Sequence, residues 1–255
     1  MPRLLALLLI LTLAPLSAAA KETPKPSLLV AAAASLTDAA QALKPLIERR
    51  LGVTVRFDLA GTPTLVRQIE SGAPIDVLLA ADETSMDALQ ARKLIAPQTR
   101  RDVARNSLVL VVHTGTPAGL VKTPADLGKP AVQRVALCNA AVPAGHYARL
   151  LLTHLGLLNS LHSKIVESDN VRAALAQVVS GAAAAGFVYV TDASAVGQQV
   201  HVVYTAGAAQ GVDVRYPAAA LRGSKYPKEA AQLVELLTSP EAQKELAKLG
   251  FKAIR

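Results

Sequence analysis

LLVAAAASLTD, residues 28–38, joins an unbroken apolar run to the start of an amphipathic helix. The run from Leu28 to Ala34 is typical of a strand that is buried on both faces. Ser35, followed three residues later by Asp38, predicts a capping box at the helix start. In α/β sheets ligands bind at the carboxyl ends of such strands, and the free N–H groups of a helix start attract anions. The same residues also fit a plain helix cap without a ligand.

Strand and helix patterns alternate along the rest of the chain. Further strands are predicted at residues 53–57, 75–81, 107–112, 134–138, 186–190 and 200–204. Helices are predicted at residues 36–50, 63–71, 83–93, 144–155, 170–180, 227–237 and 240–249. This alternation predicts an α/β protein with mainly parallel sheets.

The composition excludes several classes of protein. The 255 residues are 51% hydrophobic and 18% charged, which excludes a disordered chain. Aromatic residues make up 3% and there is no Trp, which argues against a site that stacks sugars or nucleobases. The single cysteine, Cys138, excludes an intrachain disulfide and a cysteine-based metal site. The net charge of +8 is scattered over the sequence, which argues against nucleic-acid binding.

The first twenty residues have the pattern of a secretory signal peptide. Arg3 supplies a positive start, an apolar run follows, and Ala18-Ala19-Ala20 fits a cleavage site near Ala20. A transmembrane anchor is the alternative, but the stretch is at the lower limit for a span. Residues 21–27 are predicted to be a linker. Removal of residues 1–20 takes away Arg3, so 26 basic residues remain against 19 acidic ones, a charge of +7. The mature protein is expected to be exported, without stable membrane insertion.

Three more helix starts and one strand end are candidate parts of a ligand site. Thr62 is predicted to be an N-cap with Pro63 at the first helical position. Val142-Pro143-Ala144 begins another helix, Asp169 is the predicted cap of a third, and a strand ends near Tyr189. Each start alone fits a structural role. Together, on one exported α/β chain, they predict a shared anion pocket.

Seven segments of the sequence carry a family resemblance. They are AAASLTDA (32–39), TLVRQIESGAPIDV (64–77), ADE (81–83), NSLVLV (106–111), VPAGHYA (142–148), DNVRAAL (169–175) and GFVYVTDA (186–193). On these segments residues 28–255 resemble the periplasmic molybdate-binding proteins of ABC transporters, which are type II periplasmic binding proteins. The resemblance implies two α/β lobes, each a mainly parallel sheet flanked by helices, with the ligand cleft between them. Lobe 1 would comprise residues 28–106 and 216–255, and lobe 2 residues 107–215.

The resemblance also implies a set of ligand-binding residues. Ser35 and Thr62 would each offer a hydroxyl and a backbone N–H, Ala144 and Val171 a backbone N–H, and Tyr189 its phenol. The family often has a serine-rich turn where this chain has Gly61-Thr62-Pro63, so the pocket is expected to differ there in shape or affinity. No metal would be ligated directly by the protein, and no cofactor is implied.

The implied function is capture of molybdate, with tungstate as a second ligand, and delivery to a membrane permease in the periplasm by a monomer. Donor-only chemistry suits an anion without a proton, because a protonated oxyanion would need an acceptor. A binding protein for another tetrahedral oxyanion such as sulfate is the alternative. An enzyme is not expected, because Ser35 lacks the Gly-x-Ser-x-Gly elbow of hydrolases. The five histidines also lack a metal-ligand spacing.

Overall fold

The computed structural model describes residues 25–254, so the predicted signal peptide and residues 21–24 of the predicted linker lie outside the described residues. Strands and α-helices alternate along this part of the chain. The strands are β1 (Ser27–Ala33), β2 (Thr54–Ala60), β3 (Val77–Leu79), β4 (Arg101–Asn106), β5 (Leu108–His113), β6 (Val135–Cys138), β7 (Ile165–Ser168), β8 (Ala185–Tyr189), β9 (Val200–Thr205) and β10 (Val214–Ala220). The helices are α1 (Thr37–Leu51), α2 (Thr62–Glu70), α3 (Glu83–Ala91), α4 (Pro143–His154), α5 (Leu158–Leu161), α6 (Val171–Val179), α7 (Val190–Ala195), α8 (Pro227–Leu237) and α9 (Pro240–Lys248).

The strands form two sheets of five, which define the two lobes. The first lobe has the strand order β2-β1-β3-β10-β4, and the second lobe has the order β7-β6-β8-β5-β9. In the first sheet β1 pairs in parallel with β2 and β3, whereas β10 is antiparallel to β3 and β4. In the second sheet β6 is parallel to β7 and β8, whereas β5 is antiparallel to β8 and β9.

The prediction of two α/β lobes flanked by helices is confirmed, with one difference in the sheets. They are mixed rather than mainly parallel, because β5 and β10 follow segments that pass from one lobe to the other and enter their sheets in the opposite direction. The chain passes from β4 to β5 through Ser107, and it returns between β9 and β10. The residue limits drawn for the lobes from the sequence stay a prediction.

Burial of the apolar faces holds the helices on the sheets. In the first lobe α1 turns Leu43, Leu46 and Ile47 into the core, where each is at most 4% exposed. Burial of such side chains contributes about 1.5–3 kcal/mol each. Gly52 ends α1 in the left-handed conformation, with a φ of 66°, which glycine adopts without steric cost. In the second lobe α6 packs on β6 and β8 through Ala174, Leu175 and Val178.

This packing places the helix starts beside the carboxyl ends of strands. β1, β2 and β8 run directly into the starts of helical segments at residues 34, 62 and 190. Within residues 25–254, every helix is too short or too polar to cross a lipid bilayer.

Candidate functional site

A small cavity lies between the two lobes, at the carboxyl ends of their strands. All five residues predicted to bind an anion lie on its wall: Ser35, Thr62, Ala144, Val171 and Tyr189. Among the described residues 25–254, the side chains that line it include no carboxylate and no cation. The fold therefore brings together residues as far apart in the sequence as Ser35 and Tyr189.

The capping box predicted for Ser35 and Asp38 is wrong. Residues 34–36 form a single 3-10 turn, and α1 begins only at Thr37, with Leu36 at its N-cap position and no side-chain cap. The turn places Ser35 in the interior, where its side chain is 2% exposed. Ser35 Oγ accepts a hydrogen bond from the Tyr216 phenol over 3.0 Å. Ser35 therefore faces the cavity and does not cap α1.

The prediction of Thr62 as an N-cap is wrong by one residue. Gly61 is the N-cap of α2, so Thr62 is the first helical residue and Pro63 the second. The Thr62 Oγ1 accepts a hydrogen bond from the Ala81 backbone N–H over 3.3 Å, which leaves the hydroxyl hydrogen for the cavity. The first N–H groups of an α-helix have no partner within the helix. Thr62 can thus offer two donors.

The second lobe contributes the starts of two helices. Ala144 is the second residue of α4, and Val171 is the first residue of α6. Their N–H groups belong to the first turns, where the helix dipole gives a partial positive charge. The predicted cap Asp169 is wrong, because Asn170 accepts the N–H of Ala173 over 2.9 Å as the N-cap of α6. The cavity is thus lined by helix starts from both lobes.

Tyr189 is the buried donor of this cavity. It is the last residue of β8 and is 1% exposed. Its hydroxyl is buried, and no partner for it exists among the described residues. A buried polar group left in this way costs about 1–3 kcal/mol, so the site favours a ligand that accepts its hydrogen. Burial raises the pKa of the Tyr189 phenol well above its usual range, which keeps the hydroxyl protonated.

A charged cluster lies directly behind the cavity wall. Arg172 follows Val171 and forms an ion pair with Asp192 of α7. The Asp192 Oδ1 lies 2.7 Å from the Arg172 Nε, but the Nε–H does not point at this oxygen, so the contact is not a hydrogen bond. The Arg172 guanidinium also pairs with Asp38 of α1, in the other lobe. Burial raises the pKa of Asp192 to about 7, with the Arg172 charge opposing that shift. Arg172 is thus paired with two aspartates behind the wall, and the wall itself offers helix dipoles and uncharged donors.

The sequence reasoning missed this cluster, although a signal was present. Arg172 adjoins a predicted binding residue, and Asp192 lies three residues after Tyr189. A charged residue next to a predicted binding residue needs a partner of opposite charge. Asp38, which the sequence analysis interpreted as a helix cap, was available as a partner for Arg172.

Comparison with known proteins places this architecture in a family. Residues 28–252 match the family model described as bacterial extracellular solute-binding protein. This chain belongs to that family of bacterial solute-binding proteins.

Individual relatives of this solute-binding protein agree with the assignment. The molybdate-binding protein ModA of Escherichia coli is 36% identical over 173 residues, which are 64% of this chain and 65% of that protein. The match therefore spans slightly less than two thirds of that relative. The putative ABC transporter substrate-binding lipoprotein YvgL of Bacillus subtilis is 31% identical over 231 residues, 90% of this chain and 87% of that protein.

Solved structures share the fold of this solute-binding protein. The substrate-binding domain of a putative molybdenum ABC transporter from Clostridium difficile has a TM-score of 0.70 at 31% identity, covering 91% of this chain and 100% of that one. The periplasmic molybdate-binding protein of Azotobacter vinelandii has a TM-score of 0.79 at 24% identity, covering 89% of this chain and 100% of that one. The latter likeness shows the fold alone.

The other reactive side chains of this solute-binding protein do not form a second centre in the described residues. Cys138 is 1% exposed, and burial raises the pKa of its thiol to about 12, so it stays uncharged. His146 lies in α4 and packs against the ring of Tyr147 at a centroid distance of 5.9 Å. Among residues 25–254, His, Cys, Asp and Glu side chains form no group of three that could hold a metal ion.

Proposed function

We propose that this protein captures molybdate, and also tungstate, in the periplasm and delivers it to the membrane permease of an ABC transporter. The observation that carries the proposal is the cavity wall, where Ser35, Thr62, Ala144, Val171 and Tyr189 offer hydrogen-bond donors and no charged side chain. Relatives at 31–36% identity named as molybdate-binding or ABC transporter substrate-binding proteins give it support.

Donor-only chemistry favours an oxyanion that carries no proton. Molybdate and tungstate are dianions at neutral pH, and each of their oxygens can accept. Hydrogen phosphate brings a proton that needs an acceptor, and a proton left without one costs about 1–3 kcal/mol. This difference corresponds to roughly tenfold or more in affinity.

Closure of the two lobes is the proposed means of capture. Ser35 and Thr62 belong to the first lobe, and Ala144, Val171 and Tyr189 belong to the second. An anion that bridges both sets favours the closed arrangement over the open one, because only closure satisfies all of its oxygens. Docking on the permease would then open the lobes and release the anion.

Export to the periplasm is the last part of the proposal, and the protein is proposed to act there as a monomer. The predicted signal peptide, cleaved near Ala20, would direct the chain to the periplasm. The periplasmic assignment has support from the relatives of the ABC transporter class.

Sulfate is the second candidate ligand, because it too is a dianion without a proton at neutral pH. The sulfate-binding protein SubI of Mycobacterium tuberculosis has a TM-score of 0.77 at 19% identity, which shows the fold alone. Molybdate is the larger ion, so the dimensions of the cavity decide between the two.

A thermal-shift titration of the mature protein, purified free of ligand, tests the proposal. Molybdate, tungstate, sulfate and phosphate are compared, and a ligand at about 100 times its Kd adds about 2.7 kcal/mol to the free energy of unfolding. Stabilisation by micromolar molybdate and tungstate, with sulfate and phosphate silent, is the expected result. A response to sulfate alone would move the protein to the sulfate alternative, and silence with all four anions would overturn the oxyanion proposal.

Tyr189→Phe separates ligand binding from folding. The variant loses a hydroxyl that has no partner in the described structure, so the free energy of unfolding without ligand should stay the same or rise. Molybdate affinity should fall by about 1.5–3 kcal/mol, the value of a hydrogen bond to a charged group, or roughly 10- to 150-fold. Tyr147→Phe, in α4 and outside the cavity wall, is the matched control and should leave the Kd unchanged.

A further inference from the structure

A buried chain of hydrogen bonds connects the junction of the lobes to the cavity. Asn106 ends β4, where the chain leaves the first lobe, and Tyr216 lies on the neighbouring strand β10. The Asn106 Nδ2 donates to the Tyr216 phenol oxygen over 3.1 Å, and the phenol donates to the Ser35 Oγ over 3.0 Å. All three residues are at most 6% exposed. The chain is therefore shielded from solvent along its length.

The direction of this chain is fixed at its first member. The Ser107 backbone N–H donates to the Asn106 Oδ1 over 2.8 Å, which assigns the oxygen side of the amide. The Nδ2 then uses its two hydrogens for the Thr191 Oγ1, at 2.9 Å, and for Tyr216. A phenol has one hydrogen. The Tyr216 oxygen receives the amide hydrogen, and the Ser35 Oγ is the acceptor within hydrogen-bond distance of the Tyr216 hydrogen.

Tyr216 is held in this orientation by its neighbours. Its ring packs edge-on against Phe251 at a centroid distance of 5.6 Å and against Tyr189 at 6.0 Å. Burial raises the pKa of the Tyr216 phenol well above its usual range, so the phenol stays a donor.

The direction has a consequence at Ser35. Its oxygen receives a hydrogen from Tyr216, so its own hydrogen cannot point back along the chain. Ser35 lines the cavity, so an acceptor that is bound there can take this hydrogen.

We propose that Asn106 and Tyr216 are positioning residues that commit the Ser35 hydroxyl to donate to the bound oxyanion. This inference rests on the proposed function, and it extends that function by naming how the site is kept selective. A freely turning hydroxyl can accept the proton of hydrogen phosphate on either of its two lone pairs, whereas one lone pair of the committed hydroxyl already holds the Tyr216 hydrogen and its own hydrogen is directed to the ligand. The relay thus disfavours protonated oxyanions.

A double-mutant cycle between Ser35 and Tyr216 tests whether the relay acts through Ser35. Tyr216→Phe alone should weaken molybdate binding by about three- to tenfold, because the hydroxyl is released from its fixed direction. In the Ser35→Ala background the same change should alter the Kd by less than about twofold. Equal losses in both backgrounds would overturn the relay, since Tyr216 would then act on the cavity by packing alone.

Asn106→Asp provides a second test, because it reverses the relay without changing the size of the side chain. A carboxylate only accepts, so Tyr216 would donate to Asp at position 106, and Ser35 would turn its hydrogen toward Tyr216. The added charge repels all dianions alike, so the readout is the ratio of molybdate to phosphate affinity near pH 8, where phosphate is the dianion HPO4²⁻ and still carries one proton. That ratio should fall at least about tenfold. Thr191→Val, which removes the acceptor of the other amide hydrogen, is the control and should leave the ratio within about twofold.

The outcomes separate this inference from the proposed function. If wild-type protein binds sulfate in place of molybdate, the proposed ligand is wrong, and the same cycle measured with sulfate still decides on the relay. If no oxyanion binds, both proposals fall. If molybdate binds and the Asn106→Asp ratio stays at the wild-type value, the relay is wrong while the proposed function stands.

Discussion

At Gly61 the two lobes approach each other closely beside the cavity. It is the N-cap of α2, and a Cβ built on it would collide with the backbone carbonyl oxygen of Asp169 in the other lobe. Its φ of −61° and ψ of 138° suit any residue, so the position needs glycine for space and not for conformation. The absent side chain therefore permits closure.

We predict that Gly61→Ala weakens molybdate binding and leaves the folded lobes intact. The clash lies between lobes, so it opposes closure at a cost of about 1–3 kcal/mol, or roughly 5- to 150-fold in Kd. Calorimetric titration gives the Kd, and thermal unfolding without ligand gives the stability, which should change little.

Two other glycines calibrate that measurement. Gly223 has open space around an added Cβ, so Gly223→Ala should affect neither property. Gly145 would place a Cβ against carbonyls of Cys138 and Asn139 within its own lobe, so Gly145→Ala should lower the unfolding temperature. If Gly61→Ala resembles Gly145→Ala, the contact is structural and closure does not depend on it.

The sequence located the cavity residues but not their local geometry. Ser35, Thr62 and Tyr189 were predicted because each adjoins the end of a strand, a property visible in the pattern. The cap positions were wrong because a 3-10 turn at residues 34–36 and a one-residue shift at Gly61 depend on tertiary contacts. Tyr216 could not be assigned to the site from the sequence, because only the fold brings β10 beside the turn after β1.

At the scale of elements, α1 and α6 are joined across the cleft by one ion pair. The Arg172 guanidinium of α6 contacts the Asp38 carboxylate of α1, and side-chain exposures of 25% and 40% leave the pair partly in solvent. Arg172 also keeps its contact with Asp192 in its own lobe. The pair with Asp38 therefore adds a contact between the lobes without leaving a buried charge alone when it breaks.

Asp38→Asn should accelerate release of the anion. Loss of a partly exposed pair costs at most about 1 kcal/mol, so we expect the dissociation rate to rise about two- to fivefold with little change in the association rate. Stopped-flow displacement with excess tungstate measures this rate.

The matched control is an ion pair within one lobe. Arg149 pairs with Glu167 in the second lobe, with similar exposures of 18% and 54%. Glu167→Gln should leave the dissociation rate unchanged. An equal rise in both variants would show that general charge, and not the contact between α1 and α6, governs release.

The elements found from the sequence are those with a strong apolar pattern. β1 and β5 are continuous apolar runs, and their predicted ranges agree with the structure within one residue at each end. β4 (RDVARN), β7 (IVES) and β10 (VRYPAAA) were missed, because charged or small residues and an internal proline obscure the pattern. β4 and β10 pair with each other, next to the segments in which the chain crosses between the lobes. Pairing with neighbouring strands stabilises them there, because their own sequences have low strand propensity.

At the scale of the whole molecule, the field that attracts an anion must come from charges away from the cavity. The full sequence carries a net charge of +8, whereas the cavity wall has no charged side chain. A net positive charge raises the local concentration of a dianion and its association rate, and salt screens this effect. Direct contacts with helix starts and hydroxyls act within the closed site and are screened much less.

We therefore predict that salt changes how fast molybdate binds much more than how fast it leaves. Between about 0.01 M and 0.15 M NaCl the Debye length shrinks from about 30 Å to 8 Å, so the association rate should fall several-fold, by at most about tenfold. Stopped-flow traces at each salt concentration separate the two rates. The dissociation rate should rise by less than about twofold, because salt screens only part of the Arg172–Asp38 contact and uncharged donors hold the anion.

A charge variant provides the matched control for this prediction. Lys225 and Lys228 are exposed and lie outside the cavity wall. Changing both to Glu lowers the net charge of the mature chain by four, from +7 to +3, without touching a donor. Its association rate should be lower than that of the wild type at low salt and should converge with it at high salt. A dissociation rate that rises several-fold with salt would contradict this prediction, because it would mean that ion pairs such as Arg172 with Asp38 outweigh the uncharged donors in holding the closed state.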